Sequence, residues 1–186
     1  MSVTKTTIDG LLILQPKRHG DARGWFSETY SRAELQEVGL DLEFVQDNHS
    51  MSGPIGTLRG LHYQSPPFAQ AKLVRCTRGV IFDVAVDVRK GSPTYGRWFG
   101  QELSAENGMQ LLVPVGFLHG FVTRSEGAEV QYKVTAPYAP ECDGGIAWDD
   151  AEIGVDWGIS APLLSGKDAA APPLAAFKSP FVYGAP

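Results

Sequence analysis

The stretch Val80–Arg89, VIFDVAVDVR, alternates in side-chain character without a break, and a chain built from such runs has few folds open to it. Successive side chains in a strand point to opposite faces. Val80, Phe82, Val84, Val86 and Val88 therefore share one face, and Ile81, Asp83, Ala85, Asp87 and Arg89 the other. The two aspartates predict that the second face is solvated or lines a pocket, rather than forming a second dry core. Similar short runs lie at Leu11–Leu14, Trp25–Tyr30, Phe44–Ser50, Thr57–Gln64 and Lys72–Cys76, then at Arg97–Leu103, Met109–Val115, Phe117–Thr123 and Glu129–Thr135. Gly and Pro punctuate the gaps, as at Gly91-Ser92-Pro93, Asn107-Gly108, Pro137 and Pro140. Ser31-Arg32-Ala33-Glu34 has capping-box spacing and predicts a short helix through about Val38, closed by Gly39. Many short strands with little helix predict a mainly β fold, a jelly-roll barrel or sandwich with a few short helices.

A length of 186 residues suits one domain with a well-buried core. The balance of 43% hydrophobic and 20% charged residues is that of an ordinary soluble globular chain. A net charge of −5 argues against a general nucleic-acid binder while leaving room for a local basic pocket. The early apolar run Leu11-Leu12-Ile13-Leu14 is too short for a membrane span or a signal-peptide core. Cys76 and Cys142 lack metal or redox spacing and read as two reduced thiols of a cytoplasmic protein.

Chemistry-bearing residues concentrate in Gly56–Gly79, GTLRGLHYQSPPFAQAKLVRCTRG, which holds His62 and the cations Arg59, Lys72 and Arg75. In an ideal strand Arg59 and His62 fall on opposite faces. They converge on one site only through a twist or bulge, which is cheapest at Gly60. Gly108 to His119 fits G-x5-P-x-G-x2-H, the second motif of the cupin superfamily of small jelly-roll barrels, and this segment resembles that superfamily. The first cupin motif matches in part: Gly56 and His62 stand in place, Gln64 occupies the position of a second histidine, and Lys72 that of a glutamate. A metal-binding cupin surrounds a divalent ion with imidazoles and a carboxylate. A protonated lysine repels a dication and has no lone pair to donate, so the expectation is a former metal site that binds no metal.

A pocket with His62 as base and Lys72 and Arg59 as oxyanion stabilisers suits proton abstraction from a carbon next to a carbonyl. The enolate charge would fall on an oxygen near Lys72 and His119, and inversion needs an acid on the opposite side. Tyr132, on the alternating run Glu129–Val134, is the candidate.

Ordered blocks over nearly the whole chain then resemble the dTDP-4-dehydrorhamnose 3,5-epimerases. They are D-x-R-G-W-F-x-E from Asp21 to Glu28, Gln46-Asp47-Asn48, the segment around His62, and Gly91–Gly96. L-S-A-E-N-G from Leu103, P-x-G-F-x-H-G-F from Pro114, Y-K-V-T from Tyr132 and L-S-x-K-D from Leu164 complete the set. The resemblance implies epimerisation of dTDP-4-dehydro-6-deoxy-D-glucose at C3 and C5, on the route to dTDP-L-rhamnose, with no cofactor. It assigns His62 as base, Tyr132 as opposing acid, Asp168 as the partner orienting His62, and Lys72 with His119 as holders of the sugar carbonyl region. It places Arg23, Arg59 and Lys167 at the diphosphate, Glu28, Gln46, Asp47 and Asn48 at the nucleotide sugar, and Tyr138 against thymine. It also implies a homodimer in which Arg23 and Glu28 reach the neighbouring subunit's site, and a segment from about 157 to 186 that packs back towards the barrel mouth. Asp143 stands where relatives carry glutamate, shortening the reach of a substrate-contacting carboxylate, and Leu118 stands where alanine is common, which predicts added bulk near the pocket. Three readings compete: a single-carbon epimerase of another dTDP-4-keto-6-deoxysugar, a non-catalytic cupin binding protein, and a metal-dependent cupin enzyme.

Overall fold

The alternating runs form strands that stack as two antiparallel sheets, and their inward-facing rows meet in one apolar interior. A computed structural model describes residues 1–184. The six-stranded sheet has the order β1-β2-β10-β7-β12-β5 and uses Ser2–Lys5 (β1), Leu12–Gln15 (β2), Gln46–Ser52 (β5), Lys72–Arg78 (β7), Gln110–Val113 (β10) and Ala128–Val134 (β12). The five-stranded sheet, β13-β6-β11-β8-β9, uses Leu58–Gln64 (β6), Val80–Asp87 (β8), Trp98–Ser104 (β9), Phe117–Thr123 (β11) and Asp143–Gly145 (β13). Arg18–Asp21 (β3) and Gly24–Ser27 (β4) form a separate hairpin. The result is a mainly β jelly-roll. Among the described residues no helix is long and apolar enough to cross a membrane.

Between the sheets lie Val74 and Cys76, Ile81 and Ala85, Leu111 and Val113, Phe117 and Phe121, and Ala128 and Val130. Each fully buried aliphatic or aromatic side chain of this kind contributes about 1.5–3 kcal/mol relative to its exposed form. The helix Arg32–Glu37 (α1) covers part of the outer face of the six-stranded sheet, with Leu35 buried against Leu14, Leu73 and Leu112. Ser31 caps it by accepting a bond from the Glu34 amide at 3.4 Å, and Gly39 leaves it with φ +83°.

The expectation for Val80–Arg89 needs correcting. Its aspartate face is the inner one, and Asp83 and Asp87 are fully buried. The opposite face is covered too: Val84, Val86 and Val88 pack under Trp157, Leu174 and Phe181 of the C-terminal segment. A strand sandwiched on both sides loses the solvent that alternation implied, and the Asp87 carboxylate is satisfied locally. Asp87 accepts from the Arg89 backbone amide and guanidinium and from Ser92 and Thr94. The chain after Trp157 thus forms an outer wall, and part of it runs alongside β6, where the amide of Leu58 donates to Leu163 and that of Leu163 to Gly56.

The irregularity expected at Gly60 is present. His62 pairs with His119 and Arg59 with Phe121, so β6 holds one residue more than β11 across that interval. Leu58 and Leu61, three apart, consequently both join the outer cluster, while Arg59 and His62 both border the interior cavity. Gly60 has φ +136°, and a Cβ there would stand 2.5 Å from the Cα of Gly120 and 3.0 Å from the carbonyl oxygen of His119. Backbone on both sides leaves no room to yield. Gly60→Ala is therefore expected to lower stability by about 2–4 kcal/mol, read as a fall in denaturation midpoint, with turnover falling in the fraction that stays folded; an unchanged midpoint would show that the bulge tolerates a side chain.

Candidate active site

Polar residues interrupt the inward-facing rows at one end of the interior. On β7 the row runs Lys72, Val74, Cys76; on β8 it runs Ile81, Asp83, Ala85; on β11 Phe117, His119, Phe121; on β12 Ala128, Val130, Tyr132. Of these, Lys72, His119, Phe121 and Tyr132, together with His62 from β6, line a cavity of about 520 Å³, closed on one side by Leu163, Leu164, Ser165, Lys167 and Asp168. A second chamber of about 360 Å³ shares His62, Lys72, Tyr132 and Lys167 and extends to Gln46, Asn48, Tyr138 and Asp143. His62 belongs to one sheet and Tyr132 to the other, so they approach the shared space from opposite walls.

His62 Nε2 lies 2.5 Å from Asp168 Oδ1, and the carboxylate's other oxygen accepts from Ser165 Oγ at 2.9 Å. Ser165 is also the N-cap of the short helix Gly166–Ala169 (α2), accepting from the Asp168 amide at 3.1 Å, which fixes the carboxylate in turn. An ionised Asp168 takes the Nε2 proton as a hydrogen bond and leaves Nδ1 as the basic nitrogen. Burial pushes the imidazole below its ordinary range, opposed by Asp168 and reinforced by Lys167 and Lys72. A base less readily protonated than a free imidazole is the outcome. Lys72 is pushed down to about 8, mainly by burial, with Asp83 and Asp143 acting in the other direction. Burial raises the Tyr132 phenol, so it remains a proton donor. His119, only 8% exposed, bonds through Nε2 to Asp83 Oδ1 at 2.8 Å.

At the cavity rim Arg59 is held by Ser52 Oγ at 3.1 Å and the Met51 carbonyl at 3.2 Å. Lys167 pairs with Asp143, whose Oδ2 also accepts from the Tyr138 hydroxyl at 3.2 Å. Gln46 receives the Tyr138 amide at 3.1 Å. Gln64, at the position of the second histidine of the cupin motif, is occupied by backbone: it donates to Phe68 and Pro137 and accepts from Ala139.

Some expected residues lie elsewhere. Asp47 is on the outer face of β5, bonded to Lys133 at 2.8 Å, because alternation sends Gln46 and Asn48 inward and the residue between them out. Arg75 goes outward for the same reason and donates to Gln131 at 2.7 Å. Leu118 packs in the outer cluster under the C-terminal segment, so it adds no bulk to the cavity. Arg23 and Glu28 sit outside their own chain's cavity, Arg23 with its side chain 90% exposed and paired with Asp21. They flank Trp25 and Phe26, which are 61% and 69% exposed. Asp83 and Ser165 are site residues that motif reasoning passed over. Their signals were an aspartate in phase with the inner face of β8 and the S-x-x-D capping pattern Ser165–Asp168.

The family profile described as dTDP-4-dehydrorhamnose 3,5-epimerase matches residues 5–176. The dTDP-4-dehydrorhamnose 3,5-epimerase of Salmonella typhimurium is 55% identical over 176 residues, covering 94% of this chain and 96% of that protein. The crystal structure of a dTDP-6-deoxy-D-glucose-3,5-epimerase from Legionella pneumophila in complex with dTDP-4-keto-L-rhamnose is similar with a TM-score of 0.94 at 44% identity, covering 99% of each chain. A 3′-monoepimerase from Streptomyces bikiniensis in complex with dTDP-quinovose has a TM-score of 0.85 at 35% identity, over 91% of this chain and 86% of that one.

The electrostatics can be checked by NMR. The His62 ring is expected to titrate below the ordinary imidazole value of 6.5. Asp168→Asn removes the group that favours its proton and should move that midpoint lower still; a midpoint that rises would mean the bond to Asp168 does not stabilise the imidazolium.

Proposed function

This chain belongs to the dTDP-4-dehydrorhamnose 3,5-epimerase family, and we propose that it inverts C3 and C5 of dTDP-4-dehydro-6-deoxy-D-glucose to give dTDP-4-dehydro-L-rhamnose, using the cavity around His62. It is an isomerase of dTDP-L-rhamnose biosynthesis. The observation that carries the assignment of roles is the convergence of a carboxylate-oriented imidazole, a buried lysine, a second imidazole and an opposing phenol on one space.

Both reacting carbons neighbour the same C4 ketone, so each C–H is acidified by the same carbonyl and one set of groups serves both. His62 Nδ1 takes the proton from the α-carbon, and the electron pair moves onto the ketone oxygen as an enolate. Lys72 and His119 meet that developing charge, the type of stabilisation that supplies the largest share of rate enhancement in enolisations. Tyr132 returns a proton to the opposite face of the carbon. The phenol is then reprotonated and His62 loses its proton, restoring both groups. Lys72, near 8, is largely cationic at neutral pH. Asp168 stabilises the transient imidazolium that His62 becomes.

Arg59 and Lys167 at the rim meet the diphosphate, where charge-assisted bonds are strongest. Gln46, Asn48, Tyr138 and Asp143 border the second chamber and hold the nucleoside, with Tyr138 stacking on thymine. Lys167 exchanges its ion pair with Asp143 for phosphate as substrate enters. The enzyme works as a homodimer in which the hairpin carrying Arg23, Trp25, Phe26 and Glu28 reaches the partner's cavity; its exposed aromatics support this reading. The setting is the cytoplasm, where the buried Cys76 and Cys142 remain thiols.

Incubation with dTDP-4-dehydro-6-deoxyglucose in deuterated water is expected to label C3 and C5. Label at one carbon only would assign the chain to the single-carbon epimerases. His62→Ala should lower exchange by about 10²–10⁴-fold while nucleotide-sugar binding persists, and near-normal turnover would remove His62 from the role of base.

A further inference from the structure

Asp83 is a buried ionisable group that the mechanism leaves without a role. It is 0% exposed, and its Oδ1 takes the bond from His119 Nε2 at 2.8 Å. Oδ2 is closed to solvent and has no hydrogen-bond partner among the described residues. A carboxylate in that state carries a charge that must be offset through space, since an unpaired buried charge is otherwise too costly to keep. Lys72 presents the complementary problem. It lines the cavity beside His119, and its Nζ makes no hydrogen bond to any described residue.

Lys72 faces several charged or titratable groups: His62 from β6, His119 from β11, Tyr132 from β12, Asp143 from β13 and Lys167 from α2, with Asp83 on β8. In the free protein Asp143 is already engaged by Lys167 and the Tyr138 hydroxyl. Among the described residues no lysine or arginine pairs with Asp83, whose one hydrogen-bond partner is His119. Of the charges that favour the protonated lysine, Asp83 acts most strongly, ahead of Asp143.

We infer that Asp83 is a positioning residue of this active site, a fixed buried anion that anchors His119 by a hydrogen bond and keeps Lys72 charged so that both can meet the enolate oxygen. The inference rests on the function proposed for the cavity, and it adds a second imidazole–carboxylate pair with a task different from the first. Asp168 serves the base, whereas Asp83 serves the oxyanion side. Its location explains why a carboxylate interrupts the apolar inner row between Ile81 and Ala85.

The test is Asp83→Asn, which keeps the side chain's shape and an acceptor for His119 but removes the charge. Lys72 should then lose its proton at lower pH than the value near 8 in the native protein. In lysine-labelled protein the NMR titration midpoint of Lys72 is expected to fall by about one pH unit or more, which is tenfold or more in its proton affinity. The alkaline limb of kcat should move down by the same interval, with turnover near pH 6.5 much less affected than at pH 8. Asp83→Glu, which retains the charge, should keep the limb in place. Equal loss of kcat at every pH with an unmoved Lys72 midpoint would mean that Asp83 only supports packing, and the inference falls. Should Asp83→Asn fail to fold, Asp83→Ser provides the same contrast against Asp83→Glu. The titration needs no substrate. Failure of the native protein to exchange deuterium would overturn the proposed function, and an unmoved midpoint would overturn the role of Asp83.

Discussion

A single extra residue in β6 is the constraint on which the site depends. Strand alternation is rigid: once Leu58 is committed to the outer cluster, a regular strand would send Leu61 inward and His62 outward. Gly60 absorbs one residue without a side chain, in contact with the backbone of Gly120, and the phase of the strand changes there. Arg59 keeps the inner face before the bulge and His62 takes it afterwards. Every further feature of the base follows from that phase change, including the direct pairing of His62 with His119 across β6 and β11.

Around this bulge the barrel does two things that oppose one another. Its apolar rows exclude water, which lowers the proton affinity of His62 and Lys72. Its carboxylates, Asp168 and Asp83, restore part of that affinity where each cation form is needed. The balance leaves a neutral base, a charged lysine and a neutral phenol close together at neutral pH. The same forms predominate among these side chains in water at neutral pH; what burial changes is the margin, bringing Lys72 from its ordinary 10.5 to about 8. Low dielectric and selective pairing are therefore as much part of the catalytic apparatus as the groups themselves.

The C-terminal segment closes the site from outside the barrel. Trp157, Leu174 and Phe181 seal the outer face of the five-stranded sheet, and the backbone exchange between residues 56, 58 and 163 sets the register of the chain along β6. From there only a few residues separate Leu163 from Ser165 and Asp168. The orientation of His62 is thus tied to packing on the far side of the sheet, and loosening that packing would loosen the base.

Much was legible in the residues. Alternation placed ten strands close to their observed bounds, and the conflict between Arg59 and His62 located the bulge, because period-two geometry allows no other way to bring both inward. Motif spacing singled out His62, Lys72 and His119, the need for an opposing acid singled out Tyr132 on its alternating strand, and the family resemblance supplied Asp168; all five line one cavity. Other features were decided only by the packed structure. Alternation says which side chains share a face but not which face is inside, so the aspartates of β8 read as facing solvent or a pocket, and the family resemblance placed Asp47 at the nucleotide sugar although its side chain points away from the cavity. The short strands β1, β3 and β13 form because neighbours offer them an edge, a signal absent from their own sequences. The burial of Asp83 beneath His119 required two strands and a cavity to be in place together. Sequence determined the period of each element and the chemistry it carries; the tertiary structure decided which carboxylates lose their water, because burial is a property of what surrounds a residue and not of the residue itself.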